Sequence, residues 1–321
     1  MNAKMKILIG YDGSPCADAA LDDLQRAGLP PEGVEALVLA VAEVWLPPPP
    51  PSIHEIAEAA EKIGAPAELQ KWYARGSQAV REAEESAARA GARLRAKFPS
   101  WEVTTEAEYG SPAWELIGRA DQWKPDLVVV GSQGRTALGR FILGSVSQKV
   151  LTEARTSVRV ARGRVQVEPS PVRVVVGVDG SPGSEAAVRA VASRRWPLRS
   201  EVRVCIVQDP LVPTLVGHII PPVAKWIEGA NEAESGWLQK IADGARQRLS
   251  SAELIASTSV LAGDPKRVLV EEAEAWGADC IFVGSMGFSN RVERFLIGSV
   301  SSAVAARAHC SVEVVREQKP E

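Results

Sequence analysis

The stretch KILIGYDGSP (Lys6 to Pro15) returns later in the chain as RVVVGVDGSP (Arg173 to Pro182). Further pairs follow in the same order. DLVVVGSQG (Asp126 to Gly134) returns as DCIFVGSMG (Asp279 to Gly287), and RFILGSVS (Arg140 to Ser147) as RFLIGSVS (Arg294 to Ser301). TSVRVAR (Thr156 to Arg162) returns as CSVEVVR (Cys310 to Arg316). Ordered self-similarity of this kind is the mark of a tandem duplication, and it has to be settled before any local reading. A chain of 321 residues is also too long for one ordinary domain and comfortable for two. The expected division is residues 1–163, a linker at 164–171 that is rich in proline and polar residues, and residues 172–321.

Each copy reads as alternating strand and helix. In copy one the expected strands are Lys6–Gly10, Ala36–Ala42, Glu102–Glu108, Leu127–Gly131 and Ser157–Ala161. They are short, rich in Val, Ile and Leu, and apolar on both faces, as suits a parallel sheet covered by helices on each side. Ser14-Pro15, Ser111-Pro112, Ser181-Pro182 and Asp264-Pro265 place a capping residue before a first-turn proline. Ala67 to Lys97 and its counterpart Pro222 to Ser250 are long helices by composition. Five strands with intervening helices and right-handed crossovers imply an α/β, doubly wound, five-stranded parallel sheet of Rossmann-like type, present twice. Copy one is the longer between its first-strand aspartate and its fourth-strand glycine, and the excess is expected near the proline run Pro47 to Pro51.

Composition excludes several function classes. Hydrophobic residues make up 45% and charged residues 24% of the chain, proportions that fit a folded globular protein. A formal net charge of −3 gives no electrostatic basis for binding nucleic acid or an anionic membrane. The longest apolar runs are strand-sized, and Gly10, Asp12 and Asp22 interrupt any signal-like apolar segment, so a cytoplasmic protein is expected. Cys16, Cys205, Cys280 and Cys310 lack paired spacing and read as buried free thiols. The tryptophans fall mostly in helices (Trp72, Trp114, Trp123, Trp226, Trp237, Trp276), where packing is the expected role.

In an open parallel sheet, ligands sit at the carboxyl ends of strands where the strand order reverses. Asp12 (Asp179 in copy two) follows strand one, and Val41 (Val207) ends strand two. Gly131 and Gly134, then Gly144 and Ser145, follow strand four. Glycines there allow close backbone approach. Gly144-Ser145 opens a helix whose free N–H groups and positive end would face the loop, and Ser145 and Ser147 add hydroxyls. Arg135 and Arg140 lie in the same loop, which holds no acid. Such a loop could cradle two or three phosphates. The plainer alternatives are turn glycines, a helix cap at Ser145, an Asx turn at Asp12 and core packing for both valines.

These residues closely resemble the universal stress protein family, over nearly all of both copies. The family's nucleotide signature, G-2x-G-9x-G followed by Ser or Thr, is met by Gly131, Gly134, Gly144 and Ser145. The resemblance implies a fold like that of the adenine nucleotide alpha hydrolases and an ATP-binding (or ADP- or AMP-binding) stress-response protein. By it, Asp12 would contact ribose and Val41 would present its backbone to adenine. Gly131 and Gly134 would line the ribose-phosphate turn. Gly144, Ser145 and Val146 would hold phosphates, accompanied by Mg2+. Copy two offers Asp179, Val207, Gly284, Gly287, Gly298, Ser299 and Val300, but Phe288 to Ile297 adds one residue between its last two glycines, and Glu293 joins Arg294. At most weak ATPase activity is expected, because neither a GxxxxGK[ST] loop nor a GxGxxG fingerprint is present and no histidine is placed as a base. A nucleotide-free scaffold is the remaining alternative. Single-copy relatives dimerise, often through the last strand. Ser157–Ala161 and Ser311–Val315 are therefore the expected contact of an intramolecular pseudo-dimer, with further homo-oligomerisation left open.

Overall fold

The computed structural model describes residues 4–44, 67–133, 143–162, 171–208, 221–286 and 297–317. The linker expected at 164–171 and the run Pro47–Pro51 lie outside the described residues, apart from Pro171 at the linker's edge.

Copy one runs β1 (Met5–Gly10), α1 (Pro15–Asp23), β2 (Val34–Ala42), α2 (Ala67–Lys97), β3 (Glu102–Tyr109), α3 (Pro112–Trp123), β4 (Leu127–Gly131), α4 (Ser145–Glu153) and β5 (Ser157–Ala161). Copy two repeats the order with β6 (Arg173–Gly177), α5 (Pro182–Ala192), β7 (Glu201–Gln208), α6 (Pro221–Ser250), β8 (Ile255–Ala262), α7 (Pro265–Trp276), β9 (Cys280–Gly284), α8 (Ser299–Arg307) and β10 (Ser311–Val315). Three of the expected caps form. Ser14 accepts from Ala17 N–H, Ser181 from Ser184 N–H and Asp264 from Lys266 N–H. Ser111 occupies its cap position without a side-chain bond, so only its proline acts there as expected.

Within each copy the strands are parallel, in the order β3-β2-β1-β4-β5 and β8-β7-β6-β9-β10. The chain leaves β1 towards β2 on one side and reaches β4 on the other, so the switch point lies between β1 and β4. The two sheets do not end at their fifth strands. β5 and β10 pair antiparallel, and the ten strands form one sheet. The two copies are thereby joined edge to edge within one chain, and each covers an edge that would otherwise stand open.

Alternation along the strands divides the core. Leu8, Val128, Val158 and Val160 face one side, and there a single apolar cluster continues through Val312, Val314, Ile281 and Val304 of copy two. On the opposite side each copy keeps its own cluster, around Ile7, Ile9, Leu21 and Leu94 in one and Val174, Val176, Val191 and Leu249 in the other. Arg159 and Glu313 point into the gap between these clusters. They are 0% and 1% exposed and stand opposite one another in the β5–β10 register. Arg159 Nε donates to Asp23 at 2.6 Å, its Nη1 lies 3.3 Å from Glu313, and Arg194 pairs with the other Glu313 oxygen. Ser311 completes the chain by donating to Asp23 at 2.7 Å. Four alternating charges thus satisfy each other with little access to solvent.

The rest of the joint is two-fold in character. Arg162 N–H donates to Ser311 and its guanidinium to the Ala305 carbonyl near the end of α8. Arg316 repeats this with Ser157 and the Leu151 carbonyl of α4. Cys205, Cys280 and Cys310 are buried free thiols, whereas Cys16 is half-buried, which departs from the expectation for that residue. The tryptophans also divide. Trp123 and Trp276 pack against the core, but Trp72, Trp114 and Trp237 are 55%, 53% and 49% exposed. Trp226 lies where side chains are not described. Among the described residues no helix is long and apolar enough to cross a membrane.

Candidate functional site

The carboxyl ends of β2, β1 and β4 open into a cleft of about 560 Å³ in copy one, within the range of small-molecule sites. Asp12, Val41, Gly131, Gly144, Ser145 and Val146 all line it. Gly134 lies outside the described residues, as do Arg135 and Arg140 of the same loop and Gly287 of copy two.

Each residue is placed by a local cause. Asp12 follows β1, and its Oδ1 accepts from Ser14 N–H at 2.9 Å, the Asx-turn geometry that tightens the entry to α1. Val41 lies beyond the last β1–β2 pair, Gly10 with Leu39. Tyr11 N–H still reaches the Leu39 carbonyl at 3.0 Å. In a parallel strand the N–H and C=O of a residue share one side and alternate along the chain. Val41 therefore presents both groups on the side of Leu39, towards the space that β1 has vacated. Its side chain is half-buried against the core, so the packing role and the open backbone edge coexist.

Gly131 is required for room rather than for an unusual dihedral. A Cβ there would lie 3.1 Å from the Cys16 backbone carbonyl group at the start of α1. Gly144 caps α4 with φ −63° and ψ 151°, values open to any residue, and it provides no side-chain cap. Its own N–H bonds the Ser132 carbonyl at 2.8 Å, and the first intrahelical bond runs from Gln148 to Gly144. The amides of Ser145, Val146 and Ser147 have no acceptor inside the helix, which concentrates positive potential at that end. The Ser147 hydroxyl does not add to this. It turns inward and donates to the Gly131 carbonyl at 2.6 Å, bracing the loop, so the expectation of a ligand-facing donor at Ser147 is corrected.

The sequence reading missed the wall that α2 supplies. Ala79, Glu82, Ala83 and Ser86 line the cleft, as do Tyr11, Leu116 and Leu143. Small residues four apart on the helix were the available signal. The Tyr11 hydroxyl donates to Asp18 at 2.7 Å, and burial, followed by that bond, pushes the phenol up to about 12. Among the described residues no group of three or more His, Cys, Asp or Glu side chains is arranged to hold a metal ion.

Copy two builds the same frame. Ser181 N–H donates to Asp179, Val178 N–H to the Cys205 carbonyl, Gly298 N–H to the Ser285 carbonyl and the Ser301 hydroxyl to the Gly284 carbonyl. Val207 lies two residues past the last β6–β7 pair, as Val41 does past its own, and Gly298 opens α8 with Ser299 and Val300 in its first turn.

Compared with known proteins, the chain matches the profile of the Universal stress protein family twice, over residues 5–162 and 172–316. The chain belongs to the universal stress protein family. The family's general stress-response and regulatory role is accordingly the setting for its two copies. A universal stress protein of Mycolicibacterium smegmatis is 31% identical over 97% of this chain and 96% of its own. One from Mycobacterium tuberculosis is 32% identical over 67% of this chain and 69% of its own. The crystal structure of a universal stress protein from Archaeoglobus fulgidus superposes over 99% of this chain and all of its own, with a TM-score of 0.58 at 19% identity, a likeness of fold.

Proposed function

We propose that this universal stress protein binds an adenine nucleotide, ATP or its di- or monophosphate, in the cleft of copy one, in a fold of the adenine nucleotide alpha hydrolase kind. The observation that carries the reading is linear order. From β2 through β1 to β4 the cleft presents an open backbone edge at Val41, a carboxylate at Asp12, and then the uncapped amides of α4 beyond Gly131. Neighbouring strands lie about 4.8 Å apart, so these three elements follow one another at the spacing of base, ribose and phosphates. Paired N–H and C=O groups suit an adenine edge, a carboxylate suits ribose hydroxyls, and a helix N-terminus suits anionic oxygens.

Magnesium would enter with the phosphates. Asp12, Glu43 and Glu82 line the cleft without being gathered into a metal cluster among the described residues, which suits an ion that keeps most of its ligands as water and phosphate oxygen. Binding that biases conformation or partner choice is the regulatory role proposed, in the cytoplasm, with at most slow hydrolysis.

Gly144→Asp tests the reading. The backbone at Gly144 suits aspartate, and the new carboxylate would cap the same amides that phosphate would use. The variant is expected to fold with stability within about 1 kcal/mol of wild type and to lose ATP in equilibrium dialysis. Mass analysis of nucleotide released from freshly purified, denatured protein identifies the form bound. Undiminished ATP binding by Gly144→Asp would reject the proposed phosphate contact.

A further inference from the structure

Copies one and two differ most at the wall of the cleft. The buried residues of α2 (Ala83, Ala87, Ala90, Leu94) and of α6 (Leu238, Ala242, Ala245, Leu249) follow the same spacing, which fixes the correspondence of the two helices. By that correspondence Glu82, Ala83 and Ser86, which line the cleft of copy one, become Trp237, Leu238 and Ile241. All three changes remove polarity or add bulk. Two of them, Trp237 and Ile241, reach the turn that follows Asp179. A Cβ built on Gly180 would lie 2.6 Å from Ile241 Cδ1 and 3.2 Å from Trp237 Cη2, so these side chains lie against Gly180, while Asp179 beside it stays exposed.

Met286, at the described start of the segment after β9, also differs in its setting. Gly183 stands where copy one has Cys16. Without a Cβ there, the Met286 carbonyl sits directly over the first turn of α5, and the Ser181 hydroxyl donates to it at 3.3 Å. A Cβ built on Gly284 would lie 2.3 Å from the Gly183 carbonyl carbon, whereas one on Gly131 would lie 3.1 Å from that of Cys16, so the backbones approach more closely in copy two.

We infer that copy two is a closed counterpart, with Ile241 and the half-exposed Trp237 indole occupying the space over Gly180 and the Met286 carbonyl seated on Gly183, so that the chain binds one nucleotide, in copy one alone. This rests on the reading of copy one as a nucleotide site. Copy two then acts as the fixed half of the shared sheet.

Native mass spectrometry of the full chain with ATP and Mg2+ counts the sites. One equivalent is expected on the wild type, none on Gly144→Asp, and one on the mirrored variant Gly298→Asp. Two equivalents on the wild type would overturn the inference and leave the copy-one reading intact. A single equivalent that Gly298→Asp abolishes and Gly144→Asp retains would overturn both the inference and the copy-one reading, with copy one then the empty half. Absence of any ATP on the wild type would reject the nucleotide reading itself, and the inference with it. Replacing Trp237 by Glu and Ile241 by Ser together restores the copy-one residues. This variant is expected to uncover Gly180 and the buried Ser181 beside it, read as faster amide exchange at Gly180 and Ser181. Unchanged exchange there would contradict the filling role of the two side chains.

Discussion

Single side chains carry the sharpest consequences of burial. The Cys205 thiol is pushed up to about 12 by burial, and burial raises Cys280 further even with Arg159 beside it. A thiol that stays protonated is a poor nucleophile. Of the four cysteines only Cys16 is even half accessible, on the first turn of α1. A water-soluble aromatic disulfide at neutral pH is therefore expected to label one thiol in the native protein and four after denaturation. Rapid native labelling of Cys205 would contradict the packing. Tyr11 gives the matching prediction for alkaline pH. Its folded value of about 12 lies above the ordinary value near 10, so the folded state holds this proton more tightly. The stability that follows is complete below about pH 10 and is lost as the pH rises towards 12. The phenolate absorbance lost in Tyr11→Phe should accordingly be absorbance that develops only near pH 12. A component titrating near 10 would show that the hydroxyl is not held by Asp18.

Among the elements, the paired fifth strands are the most informative. Arg159 and Glu313 occupy equivalent positions in the two copies and face each other across the pseudo-two-fold axis. Like copies paired through the same edge would set Arg159 against Arg159, or Glu313 against Glu313, at buried positions. The difference between SVRVAR and SVEVVR thus favours copy one against copy two. Removing one member of such a network leaves its partners desolvated. Arg159→Met is expected to lower the unfolding free energy by about 3–5 kcal/mol in urea titration. A loss below about 1 kcal/mol would mean that the charges are better hydrated than their burial implies.

For the molecule as a whole, the question is whether two copies make one folding unit. On one face of the sheet the apolar cluster runs through both copies, and on the other the buried charges bridge the gap. Neither half can unfold without exposing the flank of its neighbour. A single calorimetric transition is expected, with calorimetric and van't Hoff enthalpies in agreement. Two resolved transitions would show the joint to be weaker than the packing on either side of it.

The sequence alone determined the repeat, the order of strands and helices, and the positions of Asp12, Val41, Gly131, Gly144 and Ser145 at strand ends. These are local properties, legible because apolar periodicity, glycine spacing and Ser-Pro entries each depend on near neighbours in the chain. It also displayed the opposed charges at positions 159 and 313 without revealing their use. Only the tertiary structure set those two residues face to face, since register between distant strands decides which side chains meet. It likewise turned Ser147 inward to brace Gly131, exposed Trp72 and Trp114, and brought α2 and α6 over their clefts. Whether a cleft stays open is settled by side chains arriving from a helix far along the chain. Glu82 and Ser86 line the open cleft of copy one, whereas Trp237 and Ile241 lie against Gly180 in copy two.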